Sequence, residues 1–172
     1  MITANIIANK ITSNSSEAFA LFEKSRFGEK VGEKIIYSSF ETLLLVESKK
    51  LQVENHQGNI LSETELTKKF HKLDKNFETK YSVFKDLRKK GFIVKTALKF
   101  GSAFRVYDKG DKIGQSHSKW ICEPVKESSK ISWHDFAAKN RVAHSTKKKL
   151  LIAIVDDEDD ISYSEISWTK MQ

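Results

Sequence analysis

Residues 77–107 read FETKYSVFKDLRKKGFIVKTALKFGSAFRVY, and the first half of this stretch has the pattern of an amphipathic helix. Counting from Phe77, aromatic or leucine side chains recur at i, i+4, i+7 and i+10, which places them on one face of a helix. Cations and then Gly91 follow, as is typical of a helix end, because cations favour the last turn and glycine suits a C-terminal cap. The pattern therefore predicts a helix that ends close to Gly91.

Apolar segments after this helix indicate a sheet. We predict strands at Phe92–Leu98, Ala103–Tyr107, Lys119–Val125, Lys149–Val155 and Ile161–Trp168, and one further helix from Ser132 to about His144. The elements alternate without a repeat. This mixture predicts an α+β fold in which a mixed β-sheet is flanked by helices.

The N-terminal part of the chain predicts a smaller group of elements. These are a short strand pair around Ile6, Ile7 and Ile11, a helix at Ser15–Glu23, a loop with Gly28 and Gly32, a helix capped by Ser39, a strand at Leu51–Val53, and a helix opened by a capping box at Ser62–Glu65 with Leu66, Phe70 and Leu73 facing inward. We expect a boundary at the charge-rich segment near Lys75. It would separate an α/β domain of residues 1–76 from a second domain of residues 77–172.

The charge balance favours a polyanionic partner. Thirty Lys and Arg residues stand against 23 Asp and Glu, which gives a formal net charge of +7. A basic surface binds nucleic acids by neutralising phosphates and releasing counterions. Because many basic proteins bind nothing acidic, charge alone does not decide this point.

Cysteine content and hydropathy exclude several classes of protein. Cys122 is the only cysteine, so neither an intramolecular disulfide nor a thiolate-rich zinc site can form within the chain, and its apolar neighbours predict a buried structural thiol. The longest apolar runs, such as Leu150–Val155, are far shorter than the roughly 20 residues of a membrane-spanning helix. We expect a cytoplasmic protein that has no membrane partner.

A polar loop connects two of the predicted strands and has a titratable side chain at each end. Tyr107 closes one strand, His117 stands just before the next, and Gly110 and Gly114 lie between them. A loop that leaves one strand and enters its neighbour brings its two ends together. Taken singly, a strand-end tyrosine usually packs and a loop histidine is usually solvated.

Three consecutive lysines, Lys147 to Lys149, join the last predicted helix to an apolar strand. Such a run is most often a solvated basic face. The functional alternative is phosphate binding. Since the junction fixes the direction of the backbone, one of the three lysines would point toward the edge of the sheet while its neighbours point elsewhere.

Together these segments resemble the C-terminal half of the archaeal tRNA-splicing endonucleases. The resemblance covers residues 81–168 and rests on VFKDLRKKGFIVKTALKFGSAFRVY, then HSKW, then RVAHSTKKKLLIAIVD, an acidic turn and ISYSEISW, in that order. Two N-terminal segments, ALFEKSRFGE and SSFETLLLVES, resemble the smaller domain of the same family. The resemblance implies that residues 77–172 form the catalytic domain.

The resemblance also implies a catalytic triad. The family's tyrosine corresponds to Tyr107 at the end of FRVY, and its histidine corresponds to His117 at the start of HSKW. Its lysine lies seven residues after the arginine of the R-x-A motif, which is Lys148. Thr146 stands where the family often has valine, so a register shift of one residue would move the lysine to Lys147 or Lys149.

The implied reaction is metal-independent cleavage of precursor tRNA at bulge-helix-bulge sites. The ribose 2′-hydroxyl attacks its own phosphodiester, which leaves a 2′,3′-cyclic phosphate and a 5′-hydroxyl. This chemistry needs a base, an acid and positive charge at the phosphorane, and no metal or other cofactor. A histidine suits the acid, whereas a tyrosine, with an ordinary pKa near 10, acts as a base only beside a cation such as Lys148 or Lys95.

Two further sites follow from the resemblance. Members of the family hold an extruded RNA base between a cation and an aromatic ring, for which Arg141 and Trp168 are the matching residues, although Trp168 equally suits the closing of a core. The acidic run Asp156, Asp157, Glu158, Asp159 and Asp160 corresponds to a loop that inserts into a basic cleft of a partner subunit. A solvated hairpin tip or a cation site are its other interpretations.

Three alternatives remain open from the sequence. Glu47-Ser48-Lys49 spells the E-x-K of metal-dependent nucleases, although it falls at a predicted helix end. A non-catalytic structural subunit, or an RNA-binding module of the same assembly, would share the fold but would lack part of the triad.

The assembly itself is expected to be a homo-oligomer, either a dimer or a tetramer, or a heterotetramer with a structural paralogue.

Overall fold

The computed structural model describes residues 1–111 and 116–171 and has the predicted α+β architecture. The chain divides into two compact units, Met1–Phe77 and Glu78–Gln172. Each unit is built around its own five-stranded sheet. Gly114, the second glycine of the predicted polar loop, lies outside the described residues.

The first unit is a mixed five-stranded sheet with three helices. Its elements are β1 (Ile2–Ile7), β2 (Lys10–Ser13), α1 (Ser16–Ser25), β3 (Glu29–Val31), β4 (Lys34–Tyr37), α2 (Ser39–Glu47), β5 (Leu51–Glu54) and α3 (Glu63–Leu73). The strand order is β3-β4-β2-β1-β5, in which only the β1–β5 pair is parallel. The strands around Ile6 and Ile11 pair as predicted.

Local capping chemistry fixes the ends of the helices in this unit. Ser62 and Glu65 form the predicted capping box, in which each side chain accepts a hydrogen bond from the other residue's backbone amide. The prediction for α2 was wrong by one residue, because Ser38 is the cap and shares the same reciprocal bonding with Glu41. Leu73 was also predicted wrongly, since it is 57% exposed at the last turn of α3.

The prediction of a loop with Gly28 and Gly32 was wrong, because this segment forms the hairpin of β3 and β4. Gly28 has a φ of 80°, and a Cβ atom there would lie 2.3 Å from a side-chain carbon of Ile35. Only glycine tolerates both the left-handed backbone and this close approach. The glycine therefore lets β3 turn in beside β4.

The second unit is a mixed sheet with a helix on each face. Its elements are α4 (Phe77–Lys89, of which Phe77 belongs to the first unit), β6 (Ile93–Thr96), a short 3-10 helix (Leu98–Phe100), β7 (Phe104–Tyr107), β8 (Trp120–Lys126), α5 (Trp133–Ser145), β9 (Lys149–Val155) and β10 (Ile161–Ile166). The strand order is β10-β9-β8-β7-β6. The β8–β9 pair is parallel, with α5 as its crossover, and the other pairs are antiparallel.

The two faces of this sheet have different coverings. On one face, Phe84 of α4 packs on Phe104 of β7 with ring centroids 5.7 Å apart. On the other face, Ile121, Ala143 and Leu150 form a buried cluster between the sheet and α5. Both clusters exclude water from the central strands, and this burial is the main favourable term in folding.

Strand β10 is tied to α4 by a polar contact. The Tyr163 hydroxyl donates a hydrogen bond of 2.6 Å to Asp86, which also pairs with Lys90 at 2.6 Å. Burial and the neighbouring Asp86 carboxylate raise the pKa of Tyr163 far above its usual value.

Within the described ranges, no helix has the length and apolar content needed to span a membrane.

Candidate active site

The strand registers of the second unit bring separate parts of the chain to one edge of the sheet. Val106 of β7 pairs with Trp120 of β8, which pairs with Lys149 of β9. One position beyond this row lie Tyr107 and Lys148, where β7 ends and β9 is about to begin. Although 41 positions apart in sequence, these two residues therefore lie at the same edge of the sheet.

Strand alternation also assigns Tyr107 and Lys148 to the same face. Arg105 pairs with Ile121, and Ile121 pairs with Leu150, so these three side chains share the face that α5 covers. Tyr107 follows Arg105 by two positions, and Lys148 precedes Leu150 by two positions. By this alternation, both residues belong to the face of the sheet that α5 covers.

His117 lies at the same edge but not in a strand. It is exposed and precedes β8 by three positions. The Lys119 amide donates a hydrogen bond of 2.9 Å to the Val106 carbonyl, so the chain already runs beside β7 before β8 begins. Tyr107, in contrast, is only 5% exposed, so most of its side chain is packed against the protein.

Lys148 is held by the end of α5. Its backbone amide donates to the Ala143 carbonyl at 2.8 Å, and its ammonium group donates to the Thr146 carbonyl at 3.0 Å. The ammonium nitrogen also lies 5.6 Å from the ring centroid of Phe100, within the range of a cation–π contact. Phe100 in turn packs on the buried cluster beneath α5, so Lys148 is anchored to the core.

The surroundings of Lys148 are cationic. Partial burial lowers its pKa, and the positive charges of Arg105 and Lys99 lower it further. The same three cations create a positive potential that favours a bound anion, because a phosphate would relieve their mutual repulsion. This part of the sheet edge is therefore suited to a phosphodiester.

The three consecutive lysines have different surroundings. Lys147 is exposed and has a φ of 58°, a left-handed conformation at the end of α5. Lys149 forms a 2.6 Å ion pair with Glu165, which also accepts a 2.7 Å hydrogen bond from the Trp120 indole. Lys148 is partly buried, and this burial together with the positive charges of Arg105 and Lys99 lowers its pKa.

The sequence interpretation missed Arg105, Lys99 and Phe100 as neighbours of the site. Arg105 was recoverable, because two-residue alternation along FRVY puts it on the same face as Tyr107. Lys99 and Phe100 were not, since they fall in a segment that was predicted as the end of a strand and the start of a loop. That segment is a 3-10 helix, in which Leu98 is 84% exposed.

The two residues proposed from the resemblance for base recognition lie on α5 and on the segment that follows β10. Arg141 is exposed on α5, one helical turn before His144. Trp168 follows β10, is 54% exposed, and has its ring centroid 4.4 Å from that of His144. Trp168 therefore does not close a core, and His144 is a neighbour that the sequence did not indicate.

The acidic run forms the tip of the β9–β10 hairpin. The Asp156 carboxylate accepts 2.9 Å hydrogen bonds from the amides of Glu158 and Asp160 and so builds the turn. Asp157 and Asp159 are exposed, and Asp159 has a φ of 62°. The tip thus projects several carboxylates away from the sheet.

Cys122 has no role at this edge. It is fully buried in β8, and burial raises the pKa of its thiol well above the usual value, with Glu123 adding to the effect. A protonated buried thiol is a poor nucleophile. The prediction of a structural cysteine is confirmed.

Comparison with known proteins matches both halves of the chain to one family. Residues 77–163 match the tRNA intron endonuclease catalytic C-terminal domain, and residues 4–67 match the tRNA intron endonuclease N-terminal domain. These two matches follow the order that the sequence resemblance implied.

Archaeal relatives give the same result. The chain is 37% identical over 171 residues to a tRNA-splicing endonuclease of Thermococcus kodakarensis, covering 99% of each chain. It is 42% identical over 150 residues to that of Thermococcus onnurineus, covering 87% of this chain and 85% of the relative. Identity reaches 47% over 116 residues with that of Nanoarchaeum equitans, covering 64% of this chain and 74% of the relative. The chain therefore belongs to the tRNA intron endonuclease family.

Proposed function

We propose that this chain excises introns from precursor tRNA as a metal-independent endoribonuclease that leaves 2′,3′-cyclic phosphate and 5′-hydroxyl ends. The observation that carries the proposal is the sharing of one sheet edge and one face by Tyr107 and Lys148, with His117 at the entrance of the intervening strand. The cations around Lys148 support it, because the reaction proceeds through an anionic phosphorane.

The three side chains have separate roles in this reaction. Tyr107, as the phenolate, accepts the proton of the ribose 2′-hydroxyl while the 2′-oxygen forms a bond to phosphorus. His117, as the imidazolium, gives its proton to the 5′-oxygen as the bond between phosphorus and that oxygen breaks. Lys148 stabilises the doubly charged phosphorane between these events. No water molecule and no electron acceptor are consumed in this step.

The substrate is a precursor tRNA with a bulge-helix-bulge junction, whose extruded base stacks between Arg141 and Trp168. The exposure of both side chains supports this role. Such stacking contacts contribute about 1–3 kcal/mol per base. The base contact would hold the scissile phosphate in place at the sheet edge.

Cleavage of an intron-containing precursor tRNA should continue at an unchanged rate in excess EDTA, since the mechanism needs no metal. The products should carry a 2′,3′-cyclic phosphate, which migrates differently from an open phosphate on a denaturing gel and converts to it with acid. Loss of cutting in EDTA with recovery in Mg²⁺ would contradict the proposal and favour a metal-dependent nuclease that uses Glu47 and Lys49. An active relative in the same buffer controls for substrate quality.

We further propose that the hairpin tip Asp156–Asp160 docks into a basic cleft of a partner subunit. Two active sites are needed to cut both bulges of one substrate, so a dimer or tetramer of this chain, or a heterotetramer with a structural paralogue, is the working assembly. The exposed carboxylates of Asp157 and Asp159 support this role. If these carboxylates faced the active site, they would repel the phosphates of the RNA.

Replacing both Asp157 and Asp159 with lysine should dissociate the assembly, because like charges would meet across the interface. Size-exclusion chromatography with light scattering measures the change. An Asp157→Asn, Asp159→Asn variant keeps a side chain that tolerates the left-handed backbone of position 159 and should weaken the assembly less. Glu33→Lys with Glu63→Lys, at exposed sites in the first unit, adds the same charge and should leave the mass unchanged. An unchanged mass for the Asp157 and Asp159 lysine variant refutes the docking.

A further inference from the structure

The indole of Trp168 rests against the imidazole of His144. Their ring centroids are 4.4 Å apart and the ring planes are inclined by 43°. Both residues are exposed, and Trp168 lies beyond the last residue of β10, so strand pairing does not hold it. The ring contact is therefore a direct link between the C-terminal segment and α5.

The contact leaves part of the indole available to a ligand. Trp168 remains 54% exposed even though one side of its ring meets His144. An indole in this setting can accept a second flat group on its open side. An indole without a neighbour would sample several rotamers and would lose that freedom when a base stacks on it.

The helix relates His144 to Arg141. Residues three positions apart on a helix lie on the same side, with about 4.5 Å of rise between them. A base stacked between two partners needs about 7 Å, which is two contacts of about 3.5 Å each. The long side chain of Arg141 can supply the remaining reach if the indole stays fixed on His144.

We propose that His144 is a positioning residue that fixes Trp168 so that the indole and Arg141 form a preset clamp for the extruded RNA base. This inference rests on the proposed function of the Arg141 and Trp168 pair. His144 acts through the indole and does not touch the reacting atoms. Its contribution is preorganisation, because the ordering of the ring is completed before the substrate binds.

The effect should appear in substrate binding. A His144→Ala variant should raise the KM for precursor tRNA about threefold to tenfold, the range expected for one aromatic pair. The single-turnover cleavage rate at saturating enzyme should stay within about twofold. The preset clamp stabilises the bound substrate and the transition state equally, so its loss does not change the barrier between them. A His144→Phe variant keeps a flat ring against the indole and should restore the KM.

A second measurement reports the contact without any substrate. Acrylamide quenching of Trp168 fluorescence, isolated by subtracting a Trp168→Phe variant, should increase in His144→Ala and return in His144→Phe. His134 provides the matched control, because it is an exposed histidine on the same helix with no ring contact among the residues that the structure describes. His134→Ala should change neither the KM nor the quenching.

Comparison with Trp168→Ala separates this inference from the proposed base clamp. If Trp168→Ala raises the KM and His144→Ala does not, the positioning role is overturned while the clamp stands. If neither variant raises the KM, the clamp itself is wrong. A raised KM in His144→Ala that His144→Phe fails to restore also overturns the inference, since ring contact would then not be the cause.

Discussion

A His117→Ala variant should cleave precursor tRNA about 10²- to 10⁴-fold more slowly than the unchanged chain, the usual contribution of a positioned general acid. The departing 5′-oxygen is a poor leaving group unless it receives a proton as its bond to phosphorus breaks. An exposed imidazole beside β8 can reach a bound RNA without a change in the fold. The measurement is the single-turnover rate with enzyme in excess.

Binding should survive this substitution. Because His117 is exposed and carries no packing in the core, the dissociation constant for a precursor with a 2′-deoxy linkage at the cleavage site should stay within about twofold. Adding free imidazole should recover part of the rate. His56→Ala removes an exposed histidine from the first unit and should leave the rate unchanged.

Two results would change the assignment of His117. Full activity of His117→Ala would remove the residue from the mechanism. Loss of binding together with activity would make it an RNA contact and not a proton donor. If the unchanged chain binds but does not cut, even with a paralogous subunit present, the non-catalytic interpretation is correct despite the presence of Tyr107 and Lys148.

Local patterns in the sequence predicted most of the second unit. The helical spacing from Phe77 ends at Lys89, two residues before Gly91, whose φ is 92°. Ser132 caps α5 by accepting a hydrogen bond from the Asp135 amide, close to the predicted start. Both features depend on neighbours within four residues, so they could be predicted from the sequence.

The parts that failed depend on contacts between distant segments. Strands β3 and β4 were missed because they are three and four residues long and are stabilised by pairing with each other and with β2. The position of Trp168 was likewise open in the sequence, since both an exposed ring and a core ring suit the end of a strand. The 54% exposure of Trp168 and its contact with His144 on α5 distinguish the two.

For the same reason, the local residue pattern did not distinguish the three lysines, and the prediction of Lys148 came from its spacing to the arginine of the family motif. A run of identical side chains has no internal pattern, so its register depends on where α5 ends and β9 begins. The structure ends α5 at Ser145 and begins β9 at Lys149. Lys148 then precedes the buried Leu150 by two positions and shares its face.

A Lys148→Ala variant should lose about 10²- to 10³-fold in kcat with little change in KM, which is the cost of removing one preorganised charge from a developing anion. The scissile phosphate carries one negative charge before the reaction and two in the phosphorane. The ammonium therefore interacts more strongly with the transition state than with the bound substrate. Single-turnover kinetics of cleavage measure the loss.

The neighbouring lysines provide controls of the same charge. Lys147→Ala removes an exposed ammonium at a left-handed position, and Lys149→Ala removes one that pairs with Glu165 beside Trp120. Each should change kcat less than about threefold, because exposed charges interact weakly through water. Their net charge equals that of Lys148→Ala, so a general loss of attraction for RNA would appear in all three variants.

The pattern across the three variants decides the assignment. A large loss confined to Lys148→Ala supports a phosphorane contact at the sheet edge beside Arg105. A large loss confined to Lys147→Ala or Lys149→Ala would show that the family motif aligns one residue away from Lys148. Equal small losses in all three would mean that the lysines act only as a diffuse positive surface. Tyr107 and His117 would then need another cation to stabilise the charge that their proton transfers create.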